Sequence, residues 1–269
     1  MRRTQGELAD LTRDLVDFVE TLADRGETVF GEDRLPAPPR LEIPQVSEAA
    51  AAPATRPPPP AAPDHAPGAE LPRGLKDLTT EAASCTRCAL SELRTTVVFG
   101  GGSGTSGLML IGEGPGQNED RTGIPFVGRA GKLLDRIIAA AGFQRETLYI
   151  TNIVKCRPPR NRDPRPDEVQ SCRPYLNRQV EALAPKLIIA VGRPAAQSLL
   201  RTERPLTRLR GRVHSLGGIP LVVTYHPAYL LRSPAQKALA WEDWRRIRDL
   251  VLRLRADGTA PVDGEVVPL

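Results

Sequence analysis

Apolar positions follow two regimes along this chain. Between residues 5 and 24, Leu8, Leu11, Leu15, Phe18, Val19 and Leu22 recur at helical spacing with acidic residues between them, which predicts one amphipathic helix within residues 1–33. Such a helix either folds back on its own domain or binds a protein partner. Beyond residue 73, short apolar runs alternate with helical periodicity. Residues 108–111, 147–154, 187–191 and 220–224 read as strands, and 132–141, 195–200 and 235–255 as helices with one apolar face. This alternation predicts an α/β domain over residues 73–256, a parallel central sheet of about four strands with helices on both faces, followed by a tail at 257–269. Ligands of such sheets gather beyond the carboxyl ends of the strands. The unusual residues at those ends are Glu113 to Gly116, Asn152, Gly192 and His226.

Composition separates the two regimes further. Twelve of the 27 prolines fall between Pro36 and Pro72, in an Ala-rich stretch that includes Pro57-Pro58-Pro59-Pro60. A segment of that kind buries little and reads as a semi-rigid linker over residues 34–72. Residues 1–72 carry 7 Lys/Arg against 13 Asp/Glu, net −6, which leaves 30 against 19, net +11, for the remainder. An Arg-rich basic block with 4% aromatics suits phosphate contact, so nucleic acid leads as partner class beside the plainer reading of a solvated charged surface. No run approaches the roughly 18 apolar residues of a membrane span, and acidic residues after Arg2-Arg3 stand where a twin-arginine signal needs an apolar region. A cytoplasmic protein is expected, whose cysteines are ligands or catalysts before they are disulfides.

The four cysteines, Cys85, Cys88, Cys156 and Cys172, form C-x2-C, a gap of 67 residues, then C-x15-C. Zinc ribbons usually bring two C-x2-C knuckles, whereas iron–sulfur clusters accept scattered thiolates, so spacing favours a 4Fe-4S cluster over zinc. A redox pair at Cys85 and Cys88 would leave the other two unexplained. Around Cys156 and Cys172 the basic residues Lys155, Arg157, Arg160, Arg162, Arg165 and Arg173 are interrupted by Pro158, Pro159, Pro164 and Pro166. This predicts a rigid basic loop, held at both ends by metal ligands and presented to a phosphate backbone. Two glycine-rich stretches carry no nucleotide chemistry. Gly100 to Gly104 precedes a strand instead of following one, and Gly128 to Lys132 is followed by Leu133 where a phosphate loop needs Ser or Thr.

The most specific segments are Gly112-Glu113-Gly114-Pro115-Gly116-Gln117-Asn118-Glu119-Asp120 with Gly123-Ile124-Pro125-Phe126-Val127-Gly128-Arg129-Ala130-Gly131, then Thr151-Asn152-Ile153-Val154-Lys155-Cys156-Arg157-Pro158-Pro159, and Tyr225-His226-Pro227-Ala228-Tyr229-Leu230-Leu231-Arg232. In order and spacing, together with the cysteines, they resemble the family 4 uracil-DNA glycosylases, the iron–sulfur branch of that superfamily. The resemblance runs from about residue 75 to 254. It implies a uracil-DNA glycosylase-like fold, a 4Fe-4S cluster on Cys85, Cys88, Cys156 and Cys172, and removal of uracil from DNA.

Excision breaks the C1′–N1 bond and leaves negative charge on the base, so the base must be held outside the stack and its anion stabilised. His226, at a strand end, can donate to uracil O2, a role the family also implies. The Asn152 amide matches uracil O4 and N3–H, and cytosine reverses that pattern. Phe126 offers a stacking face. By resemblance, Glu119 stands near uracil C5 and excludes the thymine methyl, while Glu113 and Gly114 lie in the pocket loop. Where the better-known branch has an Asp that orients water, this chain has Gly114, which leaves Glu113 to polarise water or stabilise the sugar cation. Tyr229 or Leu230 would wedge into the DNA while Arg232, Arg157 and Arg160 meet phosphates. A related branch bonds covalently to DNA through a histidine of the basic loop; none lies between Asn152 and Cys172, so turnover is expected. His65 and His214 lie outside the motifs. The resulting expectation is a monomeric, monofunctional glycosylase. Its rivals are a non-catalytic iron–sulfur DNA-binding module and a zinc-stabilised nuclease, the latter lacking the usual paired carboxylates with His.

Overall fold

A computed structural model describes residues 73–269. The expected N-terminal helix and Pro/Ala-rich linker lie outside the described residues. In chain order the elements are α1 (Arg73–Ala83), α2 (Leu90–Leu93), β1 (Leu108–Gly112), α3 (Gln117–Thr122), α4 (Arg129–Ala140), β2 (Tyr149–Asn152) and α5 (Pro166–Leu183). They continue with β3 (Leu187–Val191), α6 (Arg193–Leu200), α7 (Leu206–Leu209), β4 (Val213–Leu216), β5 (Ile219–Thr224), α8 (Pro227–Arg232), α9 (Lys237–Asp257) and β6 (Val266–Val267).

Leu108-Met109-Leu110-Ile111 has no polar member, as a strand covered on both faces requires, and all of β1 is buried. Its side chains alternate between two cores. Met109 and Ile111 join Tyr149, Leu176, Ile188 and Leu199 on the side of α1, α5 and α6, while Leu108 and Leu110 join Leu134, Ile138, Ile189, Trp244 and Ile247 on the side of α4 and α9.

The sheet order is β2-β1-β3-β5-β4-β6. The first four strands are parallel, with Gly112 opposite Asn152 and Val191 opposite Thr224. The chain leaves β1 toward one edge and β3 toward the other, so the switch point of the sheet lies between their carboxyl ends. That register sets the loops after β1, β2, β3 and β5 side by side.

Three features depart from the sequence reading. The sheet has two strands more than the four expected. β4 pairs antiparallel with β5 through Gly217 and Gly218, whose φ of 57° and 82° suit a two-residue hairpin of the primed type. The segment read as a tail returns as β6, parallel to β4, with Glu265 N–H donating to His214 Nδ1. Finally, the basic stretch after Cys156 is a loop only as far as Arg165; α5 then begins at Pro166 and carries Cys172. Glu168 starts that helix by accepting from the Arg165 N–H at 2.7 Å, which supplies one of the acceptors a helix N-terminus lacks.

Candidate active site

The loops at the switch point enclose a cleft of about 940 Å³, lined by Glu113, Gly114, Glu119, Phe126, Asn152, His226, Tyr229 and Arg232 among others. Two glycines let it close. A Cβ on Gly112 would stand 2.5 Å from both Asn152 Oδ1 and the Phe126 ring, so β1 must end in glycine for those side chains to meet above it. Gly192, at φ +92°, faces His226 so closely that a Cβ would lie 2.9 Å from the histidine Cβ.

Asn152 is buried at the end of β2, and its Oδ1 has no hydrogen-bond partner among the described residues. Buried acceptors are almost always paired, and leaving one unpaired costs about 1–3 kcal/mol. Phe126 sits beside it in a left-handed conformation, φ 53°, which a bulky side chain adopts only when its surroundings force it. The Phe126 and His226 rings lie 5.6 Å apart and tilted by 36°. His226 caps the short helix α8, its Nδ1 accepting the Ala228 N–H at 3.1 Å. Burial, then the charge of Arg232, pushes the imidazole down to about 4, with Glu119 opposing. The ring is therefore neutral near pH 7, and with Nδ1 accepting, its single proton sits on Nε2.

Glu113 follows β1 and is held partly protonated. Burial pushes its carboxyl up to about 7, aided by the charge of Asp163 and a hydrogen bond to it, against the pull of Arg193. Asp163 is in turn paired with Arg193 at 2.7 Å. Asp163 lies in the stretch predicted as a basic loop, where an acid amid five arginines is the available signal. Glu119 does more than line the wall. Its Oε1 accepts the N–H groups of Val127 and Gly128 at 2.9 and 2.8 Å, tying α3 to the start of α4.

Other expected contacts are corrected. Leu230 is 1% exposed and packs with Tyr225 and Ala240, so it has no free side chain to wedge. Its neighbour Tyr229 is 39% exposed and stacks on Tyr225 at 5.5 Å. Behind Tyr225 lies Arg210, 4.0 Å from the ring and bound to Asp243. Within the basic cluster, Lys155 is buried, Arg162 is chelated by Glu168 at 2.8 and 2.6 Å, and Arg173 donates to Ser198 O at 2.7 Å. All three are engaged by the protein itself, Arg162 while still lining the cleft. Arg160 and Arg165 remain exposed and Arg157 half-buried, all outside the lining of the cleft.

The four cysteines line a second, small cavity together with Arg94, Lys155 and Tyr175. Cys156 and Cys172 are buried, Cys85 and Cys88 half-buried. Arg94 Nη1 donates to Cys156 Sγ at 3.3 Å. Burial pushes the Cys172 thiol up to about 11, with Lys155 opposing, and raises Cys88 and Cys156 as well. Among the described residues no group of three or more His, Cys, Asp or Glu side chains could hold a metal ion. A single tetrahedral zinc would need sulfurs about 3.8 Å apart, given its bond length of about 2.3 Å. The four thiols nonetheless line one cavity.

A family model for the uracil DNA glycosylase superfamily matches residues 99–247. The chain is similar to a type-4 uracil-DNA glycosylase of Sulfurisphaera tokodaii, 40% identical over 187 residues that cover 66% of this chain and 85% of the relative. It is 41% identical over 184 residues to that of Archaeoglobus fulgidus, covering 65% and 92%. With that of Thermotoga maritima it shares 40% over 182 residues, covering 66% and 95%.

Proposed function

The chain belongs to the uracil DNA glycosylase superfamily, and on that premise we propose that its cleft hydrolyses the N-glycosidic bond of uracil in DNA. The products are free uracil and an abasic site in an uncut strand. The chain is a DNA-repair hydrolase of the type-4 kind.

The observation that carries the reading at residue level is the unpaired, buried Oδ1 of Asn152 beside Phe126 and His226. A uracil flipped from the duplex stacks on Phe126, gives its N3–H to that oxygen and accepts at O4 from the same amide. Cytosine has an acceptor at N3 and a donor at C4. It would leave both amide groups unpaired, at about 1–3 kcal/mol each. Glu119, immobilised by two backbone donors, forms a fixed wall that we assign to the C5 side, where the thymine methyl would clash.

As the C1′–N1 bond breaks, its electron pair passes to the base and negative charge grows on uracil O2. The His226 Nε2–H donates to that oxygen; being neutral, the ring stabilises the anion without a fixed positive charge. Water adds to C1′ from the Glu113 side and its proton leaves through that carboxylate, which is ionised above about pH 7. We assign the wedge to Tyr229, and phosphate contacts to Arg157, Arg160 and Arg232. The chain is read as acting alone, as a monomer on uracil-containing DNA.

We assign Cys85, Cys88, Cys156 and Cys172 to a 4Fe-4S cluster, supported by their shared cavity. When bound, it supplies covalent cross-linking between α5, the loop after β2 and the segment after α1, and no redox step in excision. No helix among the described residues is long and apolar enough to cross a membrane.

Inhibition by the free bases tests the pocket. Free uracil should inhibit excision while cytosine at equal concentration does not, and Asn152→Ala should weaken the uracil effect. Equal inhibition by both bases, or none by uracil, would overturn the assignment of Asn152.

A further inference from the structure

Lys155 is only 2% exposed; it lines the cysteine cavity and hydrogen-bonds to Asn152, which lines the cleft. Its Nζ donates to Thr151 Oγ1 at 2.6 Å, Asn152 O at 2.7 Å and Gln179 Oε1 at 2.6 Å, which uses all of the ammonium protons. Two of these acceptors form the end of β2. The third is on α5, about two turns beyond Cys172.

The acceptors are themselves fixed. Gln179 Nε2 donates to Phe99 O and Tyr149 Oη, each at 2.9 Å, and Thr151 Oγ1 donates to Phe99 O at 2.7 Å. A buried ammonium is expensive to desolvate, and an apolar side chain of like volume often serves packing as well or better. Filling space therefore does not account for a lysine here. What the amine adds is a rigid three-way hydrogen-bonded tie between a strand end and a helix.

We propose that Lys155 is the positioning residue of the base-recognition site: it clamps the β2 end that bears Asn152 to the helix that bears Cys172. The orientation of the Asn152 amide then depends on the cysteine site being closed, and loss of the bound cluster weakens uracil recognition as well as stability. This rests on the reading of Asn152 as the uracil-binding amide.

A double-mutant cycle on the full, iron-loaded chain tests it, with Lys155→Met, Asn152→Ala and the pair. The readouts are single-turnover excision rate, iron per chain and the visible spectrum. Lys155→Met should keep its iron and spectrum while slowing excision on the order of ten- to a hundredfold, the range for residues that orient a ligand. In the Asn152→Ala background the same substitution should change the rate by less than about twofold, since its effect runs through a side chain already removed. An equal loss in both backgrounds, or no loss in either, overturns the proposal. Should Lys155→Met fail to load iron, Thr151→Val, which removes one acceptor at nearly constant volume, enters the same cycle with the same two outcomes. Asn152→Ala with wild-type rate would overturn the underlying reading instead, and is visible without any Lys155 variant.

Discussion

Replacing Asp163 by Asn removes a negative charge and alters a hydrogen-bond partner of Glu113, and its consequence for the pH dependence of excision follows from the geometry. Glu113 is raised from 4.5 to about 7 by burial first and Asp163 second. At roughly 1.4 kcal/mol per tenfold change, the fold disfavours its carboxylate by roughly 3 kcal/mol. If water is activated by the ionised form, single-turnover excision has an acid limb with a midpoint at about 7, falling about tenfold per pH unit below it. His226, at about 4, adds no limb in that range. In Asp163→Asn the Glu113 carboxyl is easier to ionise, so the limb moves to lower pH while the plateau near pH 8 stays within a few fold.

Stability responds with the opposite sign. A carboxyl raised by folding stabilises fully below its unfolded value of 4.5, and that contribution is lost as pH rises through about 7. Glu113→Gln should therefore abolish the acid limb, lower the plateau, and raise Tm at about pH 8, where the wild type holds an ionised carboxylate in a poor setting. Rates across pH 5–9 on a fixed uracil oligonucleotide, with the iron-loaded protein at constant ionic strength, supply the assay. A limb unmoved in Asp163→Asn, or one that persists in Glu113→Gln, refutes the assignment of the proton to this pair.

Three further outcomes are expected. His226→Ala should slow excision by about two to three orders of magnitude, as loss of one oxyanion donor does, while affinity for abasic duplex changes little in a binding titration. Tyr229→Ala should weaken capture of duplex substrate with an unchanged Tm, whereas Leu230→Ala should lower stability by about 2–5 kcal/mol through a core cavity, seen in denaturant unfolding. Cys172→Ser should reduce iron per chain and lower Tm, and if the further inference holds it should also weaken inhibition by free uracil.

The strands of the parallel sheet were legible because both faces are covered, which leaves continuous apolar runs such as Leu187 to Val191. Helix α5 was not. Its buried apolar positions Tyr175, Leu176 and Val180 are mixed with buried Glu168, Cys172 and Gln179, and Pro174 interrupts the pattern. β6 has two residues and exists only through pairing with β4, which no local periodicity can announce. At the site, Glu113, Asn152 and His226 stood out as polar groups at the ends of apolar strands. The choice between Tyr229 and Leu230 needed the phase of α8, which turns one outward and the other into the core. The partnership of Glu113 with Asp163 needed the loop after Cys156 folded back over β1, a long-range relation absent from either motif.

The most direct test is to incubate the iron-loaded chain, with chelator present, with oligonucleotides that differ only in one uracil, cytosine or thymine, and to measure released base and strand breaks before and after alkali. Free uracil released from the first substrate alone, with breaks only after alkali, is the expected result. An intact uracil strand from protein with a full iron–sulfur spectrum, or equal release from all three substrates, would contradict the account.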